Sequence, residues 1–330
     1  MTRRSFVQWG LGLGLLFSLR ELAVAKAGDP LQWASRTLDA LGTTLHLRAA
    51  HEDMARASAA LDAAVADIRH LEGLMSLFRH DSQIQQLNRD GVLRQPHADL
   101  LEVLRIAQQV SRRSQGAFDI TVQPLWRVFD KARAAGELPP TAEVMAARAH
   151  VGWRRVELRG DVVALAPGMG VTLNGIAQGF IADRVRARLL QFGIHHALVD
   201  TGEFASLGQP QAGREWTLGL ANPRNSDALL GRLSMQGLCM ATSADDQCTF
   251  SSDRRHHHIF DPRTGYSPPD IASVTVLASR CVMADAITKV IFMAGFHQAL
   301  AVAQKWGVQA VVVSKQSELR ISPGLTLLQG

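Results

Sequence analysis

The sequence predicts an α+β fold, with strands and amphipathic helices combined in one domain of about 300 residues. Segments with alternating apolar and polar residues indicate strands near 31–50 and 156–165. Apolar residues at helical spacing indicate helices at 53–75 and 97–114. No internal repeat, low-complexity linker or clear domain boundary interrupts this pattern.

The rest of the chain continues the same mixture of elements. Residues 122–150 are helical in character and rich in loops, and a helix is predicted from Gly175 to Phe192. A buried strand follows at 196–200. Further elements are predicted in the last third: strands at 215–221, 231–240, 272–278 and 308–314, and helices at 283–294 and 297–306.

The first 27 residues have the pattern of an export signal. Arg3-Arg4 precede an uncharged apolar run at 9–19, which is too short to span a bilayer. Ala25-Lys26-Ala27 then offers small residues to a signal peptidase. Paired arginines favour twin-arginine export to the periplasm, with an ordinary secretory signal or a retained anchor as alternatives. The predicted organisation is a signal at 1–27 and one domain at 28–330.

Composition argues against nucleic acid as a partner. The chain has 35 Lys and Arg against 30 Asp and Glu, a net charge of +5. Part of this excess lies in the predicted signal, and no basic stripe with interleaved aromatic residues follows it.

The three cysteines, Cys239, Cys248 and Cys281, lack the spacing of a zinc site. A disulfide between Cys239 and Cys248 suits an oxidising compartment, and three buried thiols are the alternative. The sequence leaves their redox state open.

Four loops next to predicted strands or helices carry the residues with chemical potential. Glycines at a helix start let backbone amides approach a phosphate, and the helix dipole favours its charge. Asp285 and Thr288 share a helix face, where their oxygens suit Mg²⁺. Each loop alone also fits a packing turn or a helix-terminal acid. The four loops are Gly116 to Leu125, Thr172 to Phe180, His257 to Tyr266, and Met283 to Lys289.

The most informative of these is the segment 257–266, called here the histidine loop. Its sequence is His-His-Ile-Phe-Asp-Pro-Arg-Thr-Gly-Tyr, in which the proline and the glycine predict a tight loop. Such a loop can hold His258 as a base and present Asp261, Arg263 and Thr264 to a ligand. A polar surface turn is the alternative.

In this order the segments resemble the FAD:protein FMN transferase family, also called the ApbE family, from about Leu41 to Gly295. The resemblance implies a single T-fold-like α+β domain with mixed sheets, packed helices and an FAD cleft. It also implies transfer of FMN from FAD to a Thr or Ser hydroxyl of a client protein, with release of AMP. The matching patterns are Gly-Ala-Phe-Asp-Ile-Thr-Val, Gly-Ile-Ala-x-Gly, Thr-Ser-x-x-Asp, His-Ile-x-Asp-Pro-x-Thr-Gly and Ala-Asp-Ala.

Site residues are implied by position in the same way. His258 would be the base, because an imidazole titrates near neutrality. Mg²⁺ at the FAD pyrophosphate would be held by the carbonyl of Gly175, by Asp285, and by the side chain at Thr288 or Lys289. The residues expected along FAD are Leu41, Phe78, Ala117, Phe118, Asp119, Thr172, Gln178 and Ile259.

This chain departs from the family pattern at several of these positions. Thr172 and Gln178 stand where the family commonly has an acid and a lysine, and Thr201-Gly202-Glu203 replaces a Gly-Gly pair. Lys289 stands where a threonine usually completes the metal site, and a lysine beside Mg²⁺ repels it. Either Thr288 alone supplies the hydroxyl or the ammonium partly replaces the metal. The sequence therefore predicts a weakened Mg²⁺ requirement.

The resemblance also implies a partner. The expected client is a redox protein with a Gly-containing Thr or Ser loop, such as a membrane component of respiration or denitrification. Two alternatives to transfer are hydrolysis of FAD to FMN and AMP, and a non-catalytic periplasmic flavin-binding protein.

Overall fold

The computed structural model describes residues 31–235 and 237–329, so the predicted signal at 1–27 lies outside it. The strands are β1 (Gln32–Ala40), β2 (Thr43–His51), β3 (Val92–Arg94), β4 (Val156–Arg159), β5 (Val162–Leu165), β6 (His196–Asp200), β7 (Phe204–Leu207), β8 (Thr217–Asn222), β9 (Asn225–Ser234), β10 (Cys239–Ala244), β11 (Ile271–Ala278), β12 (Gln309–Ser314) and β13 (Leu319–Ile321). The helices are α1 (Met54–Met75), α2 (Gln83–Asp90), α3 (Ala98–Arg113), α4 (Gln123–Ala134), α5 (Thr141–Ala149), α6 (Ala177–Gln191), α7 (Cys281–Ala294) and α8 (Ala299–Trp306).

An eight-stranded antiparallel sheet organises the molecule, in the order β1-β2-β6-β7-β10-β11-β12-β13. Alternate residues of its strands face opposite sides. One side, which includes Val199, Ala241 and Val276, packs in the main core with helices α1, α6 and α7. The other side packs under the β8–β9 hairpin through Trp216 and Leu233. The predicted α+β class is present, and both faces of the sheet are covered.

Helices α6 and α7 cap each other across their crossing. The Asp183 carboxylate of α6 accepts from the backbone N–H groups of Cys281 (2.8 Å) and Val282 (3.1 Å) at the start of α7. In return, Asp285 of α7 accepts from the N–H of Gly179 (3.1 Å) in the first turn of α6. Each carboxylate satisfies donors that a helix start leaves unpaired, and each faces a positive helix end. The two helices are therefore locked in register.

The predicted elements agree with the observed ones to within a few residues, with two kinds of exception. The strand predicted at 231–240 is the end of β9 and the start of β10, which are separate strands. Short elements were not predicted, because α2 has only Ile84 and Leu87 on its buried face and β7 has four residues. None of the described helices is long and apolar enough to cross a membrane.

All three cysteines are free thiols in the structure. Cys239 and Cys281 are buried, and their thiols are neighbours. Burial, followed by this contact, raises the pKa of Cys281. The possible pairing of Cys239 with Cys248 is therefore not the arrangement observed.

Two helical glycines provide a matched test of the α6–α7 crossing. A Cβ on Gly179 would lie 2.4 Å from the carbonyl oxygen of Cys281 and 2.8 Å from Cβ of Asp285, whereas a Cβ on Gly73 of α1 meets nothing within 4 Å. We expect Gly179→Ala to lower the free energy of unfolding by about 3 kcal/mol, because the helices must separate. Gly73→Ala should raise it by roughly 0.5–1 kcal/mol. Urea denaturation of both variants checks this, and equal effects would contradict it.

Candidate active site

A cleft lies between the start of α6, helix α7 and the histidine loop. It brings together most of the site residues predicted from the sequence, although these come from segments far apart in the chain. The lining also includes residues that the sequence did not predict as site residues, among them Glu203, Thr242 and Gln247. The predicted site residues that line the cleft are Ala117, Phe118, Asp119, Thr172, Gly175, Gln178, His258, Ile259 and Lys289.

Leu41 and Phe78 do not belong to this lining. They lie together at the β1–β2 turn, where the ring of Phe78 is 3.8 Å from the position of a Cβ on Gly42. The N–H of Leu41 donates to Glu72 at 2.7 Å, and Phe78 is 56% exposed. Only a ligand that extends beyond the cleft can reach this pair.

The half-buried imidazole of His258 is oriented by a backbone carbonyl. Its Nδ1 lies 3.3 Å from the carbonyl oxygen of Cys248, which also accepts the N–H of His258 at 3.0 Å. A carbonyl can only accept, so Nδ1 carries the proton and Nε2 keeps its lone pair. Burial lowers the pKa of His258 to about 4, and the Cys248 carbonyl opposes this shift. His258 is therefore a neutral base at pH 7.

An aromatic cluster holds the histidine loop in place. Phe260 packs on Phe129 of α4, with ring centroids 5.1 Å apart. Gly265 has φ +82°, and a Cβ there would lie 3.1 Å from Val144 of α5. These contacts hold the loop against α4 and α5, and the tight turn predicted from its proline and glycine is present.

Within this loop, Asp261 and Arg263 serve the turn and not the cleft. Arg263 donates to both carboxylate oxygens of Asp261, at 2.9 and 2.7 Å, and to the carbonyl of Met293 at 3.1 Å. The N–H of Gly265 donates to the carbonyl of Asp261 at 2.8 Å. The expectation that Asp261, Arg263 and Thr264 face a ligand is therefore wrong for the first two, whose charges neutralise each other.

The carboxylate of Asp119 braces the wall of the cleft. It accepts from the N–H (2.8 Å) and hydroxyl (2.6 Å) of Thr121 and from the N–H of Trp153 (2.9 Å). The Thr121 hydroxyl in turn accepts from the N–H of Gly152 at 2.7 Å. Burial raises the pKa of Asp119, and these hydrogen bonds oppose the shift. Asp119 lines the cleft, but its oxygens are already engaged by protein donors.

Asp285 and Lys289 form an ion pair behind the loop from Thr172 to Phe180, called here the glycine loop. The Lys289 ammonium contacts one carboxylate oxygen of Asp285 and also donates to the Asp285 carbonyl at 3.1 Å. The second carboxylate oxygen caps Gly179. Asp285 is 1% exposed and Lys289 is 18% exposed. The stem of Lys289 packs on the loop, since a Cβ on Gly175 would lie 3.2 Å from its Cε.

Two further carboxyl groups near the cleft are buried: Glu203 acts on this pair and Asp245 acts on His258. Glu203 accepts from the N–H of Thr242 at 3.0 Å, and burial, followed by the charge of Asp285, raises its pKa well above its usual value. Asp245 is fully buried and is held by both guanidinium nitrogens of Arg224, at 2.7 and 2.8 Å. The sequence offered only a weak signal for either residue: Glu203 ends a Thr-Gly turn after a buried strand, and Asp245 follows Thr242-Ser243-Ala244.

The sequence model of the ApbE family matches residues 41–312, which is most of the chain. The chain belongs to the ApbE family. It is 30% identical over 265 residues to the FAD:protein FMN transferase of Klebsiella pneumoniae (strain 342), an alignment that covers 77% of this chain and 82% of that protein.

Solved ApbE structures have the same fold. The ApbE protein of Thermotoga maritima superimposes with a TM-score of 0.80 at 25% identity, over 88% of this chain and 97% of that one. The apo flavinyl transferase ApbE of Pseudomonas stutzeri gives 0.78 at 25% identity, over 89% and 95% of the two chains. The predicted family and fold are confirmed.

The residues expected to bind Mg²⁺ do not fit that ion in this ApbE member. Both carboxylate oxygens of Asp285 are engaged, as described above. The Thr288 hydroxyl donates to the Asp285 carbonyl at 2.6 Å and lies 2.7 Å from the hydroxyl of Ser243. An ammonium about 4 Å from Mg²⁺ would oppose it by roughly 8 kcal/mol at an effective dielectric constant of about 20. The position between Asp285 and the cleft is taken by Lys289.

Elsewhere in the described part of the chain, the imidazoles of His70 and His97 and the carboxylate of Asp99 bring three ligating atoms together. His70 and Asp99 also line a separate depression together with Arg184, whose guanidinium lies 2.6 Å from the Asp99 carboxylate. These three residues therefore lie outside the cleft, and the Asp99 carboxylate is already paired with the Arg184 guanidinium.

The bracing role of Asp119 can be separated from a role in binding FAD. We expect Asp119→Asn and Thr121→Val each to lower the free energy of unfolding by about 1–3 kcal/mol, because each leaves a buried donor unsatisfied. Asp161→Asn, at an exposed turn position, is the control. If Asp119 instead acts as an FAD ligand, Asp119→Asn will weaken FAD binding, whereas Thr121→Val will leave FAD binding unchanged.

Proposed function

We propose that this member of the ApbE family transfers FMN from FAD to a Thr or Ser hydroxyl of a client protein, with release of AMP. The observation that carries the proposal is the cleft itself. It presents a neutral imidazole with an available Nε2 and a mostly buried cation beside a glycine-rich helix start. A base and a positive group facing one another suit phosphoryl transfer, in which the protein positions the groups and stabilises phosphate charge.

The chain's own residues account for the steps of this reaction. His258 Nε2 accepts the proton of the acceptor hydroxyl, whose oxygen then attacks the FMN phosphorus. The bond from that phosphorus to the bridging oxygen breaks, and AMP leaves with the electron pair. The apolar wall formed by Phe118, Ile259 and Phe260 limits access of water to the phosphorus.

The proposal includes the location and the partner. Twin-arginine export to the periplasm is supported by Arg3-Arg4, the apolar run at 9–19 and the small residues at 25–27. This route carries folded proteins, so the enzyme would meet clients that are exported in the same way or that face the periplasm. A redox protein of a membrane complex in respiration or denitrification fits this setting, since such a protein uses a covalently bound flavin.

Replacement of the base tests the proposed function. We expect His258→Gln to retain FAD binding and to lower transfer roughly 10²- to 10⁴-fold, because proton removal from the hydroxyl is lost. His195→Gln, at an exposed position, is the matched control. The purified protein is incubated with FAD and a carrier protein that displays a Gly-containing Thr loop, and covalent flavin fluorescence and AMP are measured.

The same assay separates the alternative functions. A carrier with the acceptor Thr replaced by Ala should remain unlabelled. Free FMN and AMP without labelling would indicate hydrolysis, and bound but intact FAD would indicate a flavin-binding protein. Full transfer by His258→Gln would remove His258 as the base.

The pH profile provides a second test of His258. Because burial lowers the pKa of His258 to about 4, the imidazole stays neutral as pH falls from 8 to about 5. We expect kcat/KM to be nearly level over that range and to fall about tenfold per unit below pH ~4. A midpoint near the ordinary histidine value of about 6.5 would contradict the burial argument.

Unfolding must be separated from titration in this experiment. A histidine with a lowered pKa leaves the unfolded chain binding more protons between about pH 4 and pH 6.5, so stability falls as pH falls through that window. The pKa of His257 is also lowered, to about 3, chiefly by burial. Circular dichroism at each pH therefore accompanies the rate measurement.

A further inference from the structure

The cleft contains one fixed cation. Among the described residues that line it, Lys289 is the only lysine or arginine. Its stem packs on Gly175, and its ammonium is held by the carboxylate and the carbonyl of Asp285. The side chain is mostly buried, with 18% exposed, and so its charge is weakly screened by solvent.

The geometry leaves this ammonium one donor for a ligand. An ammonium has three N–H groups and no acceptor. Two of them are directed to the Asp285 carboxylate and the Asp285 carbonyl. The third has no hydrogen-bond partner among the described residues, and Lys289 lines the cleft. A phosphate oxygen of a dinucleotide is the ligand chemistry that such a donor suits.

The neighbouring groups favour the same location for a pyrophosphate. The glycine loop at Gly175 leads into the N-terminus of α6, whose dipole favours negative charge. Asp285 already caps the Gly179 N–H of that turn, so it orients Lys289 and the helix start together. The carboxylate thus positions the cation rather than competing for the phosphate.

We propose that the Lys289 ammonium takes the place of a divalent metal ion at the FAD pyrophosphate, so that this enzyme transfers FMN without one. This inference rests on the proposed function. In the reaction the acceptor oxygen forms a bond to the FMN phosphorus, and the bond to the bridging oxygen breaks. The hydroxyl proton passes to His258, and Lys289 donates to the phosphate oxygens that carry the negative charge of the departing AMP. No atom or electron from a metal is required.

The test compares FAD affinity and AMP release in excess EDTA and in excess Mg²⁺, with Mn²⁺ as a paramagnetic probe of metal binding. For the wild-type protein we expect both quantities to agree within about twofold between the two conditions, with no Mn²⁺ site in the FAD complex. Lys289→Thr should lose roughly tenfold or more in FAD affinity in EDTA. Mg²⁺ should restore that affinity, and Mn²⁺ should now bind, because Asp285 is released and a hydroxyl is added.

Three controls identify the interaction. Riboflavin has no phosphate, so its affinity should be the same for wild type and Lys289→Thr. Lys289→Arg keeps the charge and should stay independent of Mg²⁺. Lys305→Thr makes the same substitution at an exposed position of α8 and should have no effect. Thermal unfolding of each variant shows whether it is folded, and the wild-type and Lys289→Arg measurements decide the question if Lys289→Thr is not.

The outcomes distinguish the two proposals. A wild-type protein that binds Mn²⁺ with FAD and loses FAD affinity in EDTA overturns the role of Lys289. If covalent transfer occurs only with Mg²⁺, the proposed function stands and the inference fails. If FAD binds equally well in both conditions but is never transferred, the proposed function fails while Lys289 remains the pyrophosphate cation.

Discussion

The active-site cleft depends on the exchange of caps between α6 and α7. Asp183 satisfies the start of α7 and Asp285 satisfies the start of α6, where Asp285 is buried and Asp183 is half-buried. Removing either would leave charged or polar groups unpaired in the core, which is costly. Because Gly179 lets the helices touch, this crossing sets the distance between the glycine loop and the face of α7. The position of Lys289 follows directly from it.

The opposite wall is set by packing of another kind. The histidine loop rests on the aromatic cluster around Phe129, and its turn is closed by the Asp261–Arg263 pair. The Asp261–Arg263 pair stays outside the cleft, whereas Phe260 of the cluster forms part of its wall, and together they fix where His258 lies. The Cys248 carbonyl then selects the tautomer. A base that must act at neutral pH is thus oriented by uncharged contacts, while the cation on the facing wall is oriented by a carboxylate.

The segments of the site can be located from the sequence, but the partners of their side chains cannot. Glycine loops, the histidine loop and the start of α7 are local patterns, and so they could be predicted from neighbouring residues. The capping of Gly179 by Asp285 joins residues 106 positions apart. The bracing of Asp119 by Trp153 spans 34 positions. Such contacts depend on the crossing of helices and loops in three dimensions. The spacing of Asp285 and Thr288 predicted a shared metal site because the two residues lie on one helix face. In the folded chain, however, the Thr288 hydroxyl contacts the hydroxyl of Ser243, a partner that the spacing does not reveal.

The departures from the family pattern move a positive charge from one side of the glycine loop to the other. The family's lysine at position 178 is replaced by Gln178, whose amide fills the space above Gly202 so closely that a Cβ there would lie 2.2 Å from Nε2. A cation is gained at Lys289, on the other side of the same loop. An ammonium carries half the charge of Mg²⁺, but it is tethered, needs no dehydration of a hexahydrated ion, and cannot leave with the product. Under the role proposed for Lys289, affinity for FAD depends on folding and not on the concentration of free metal ion.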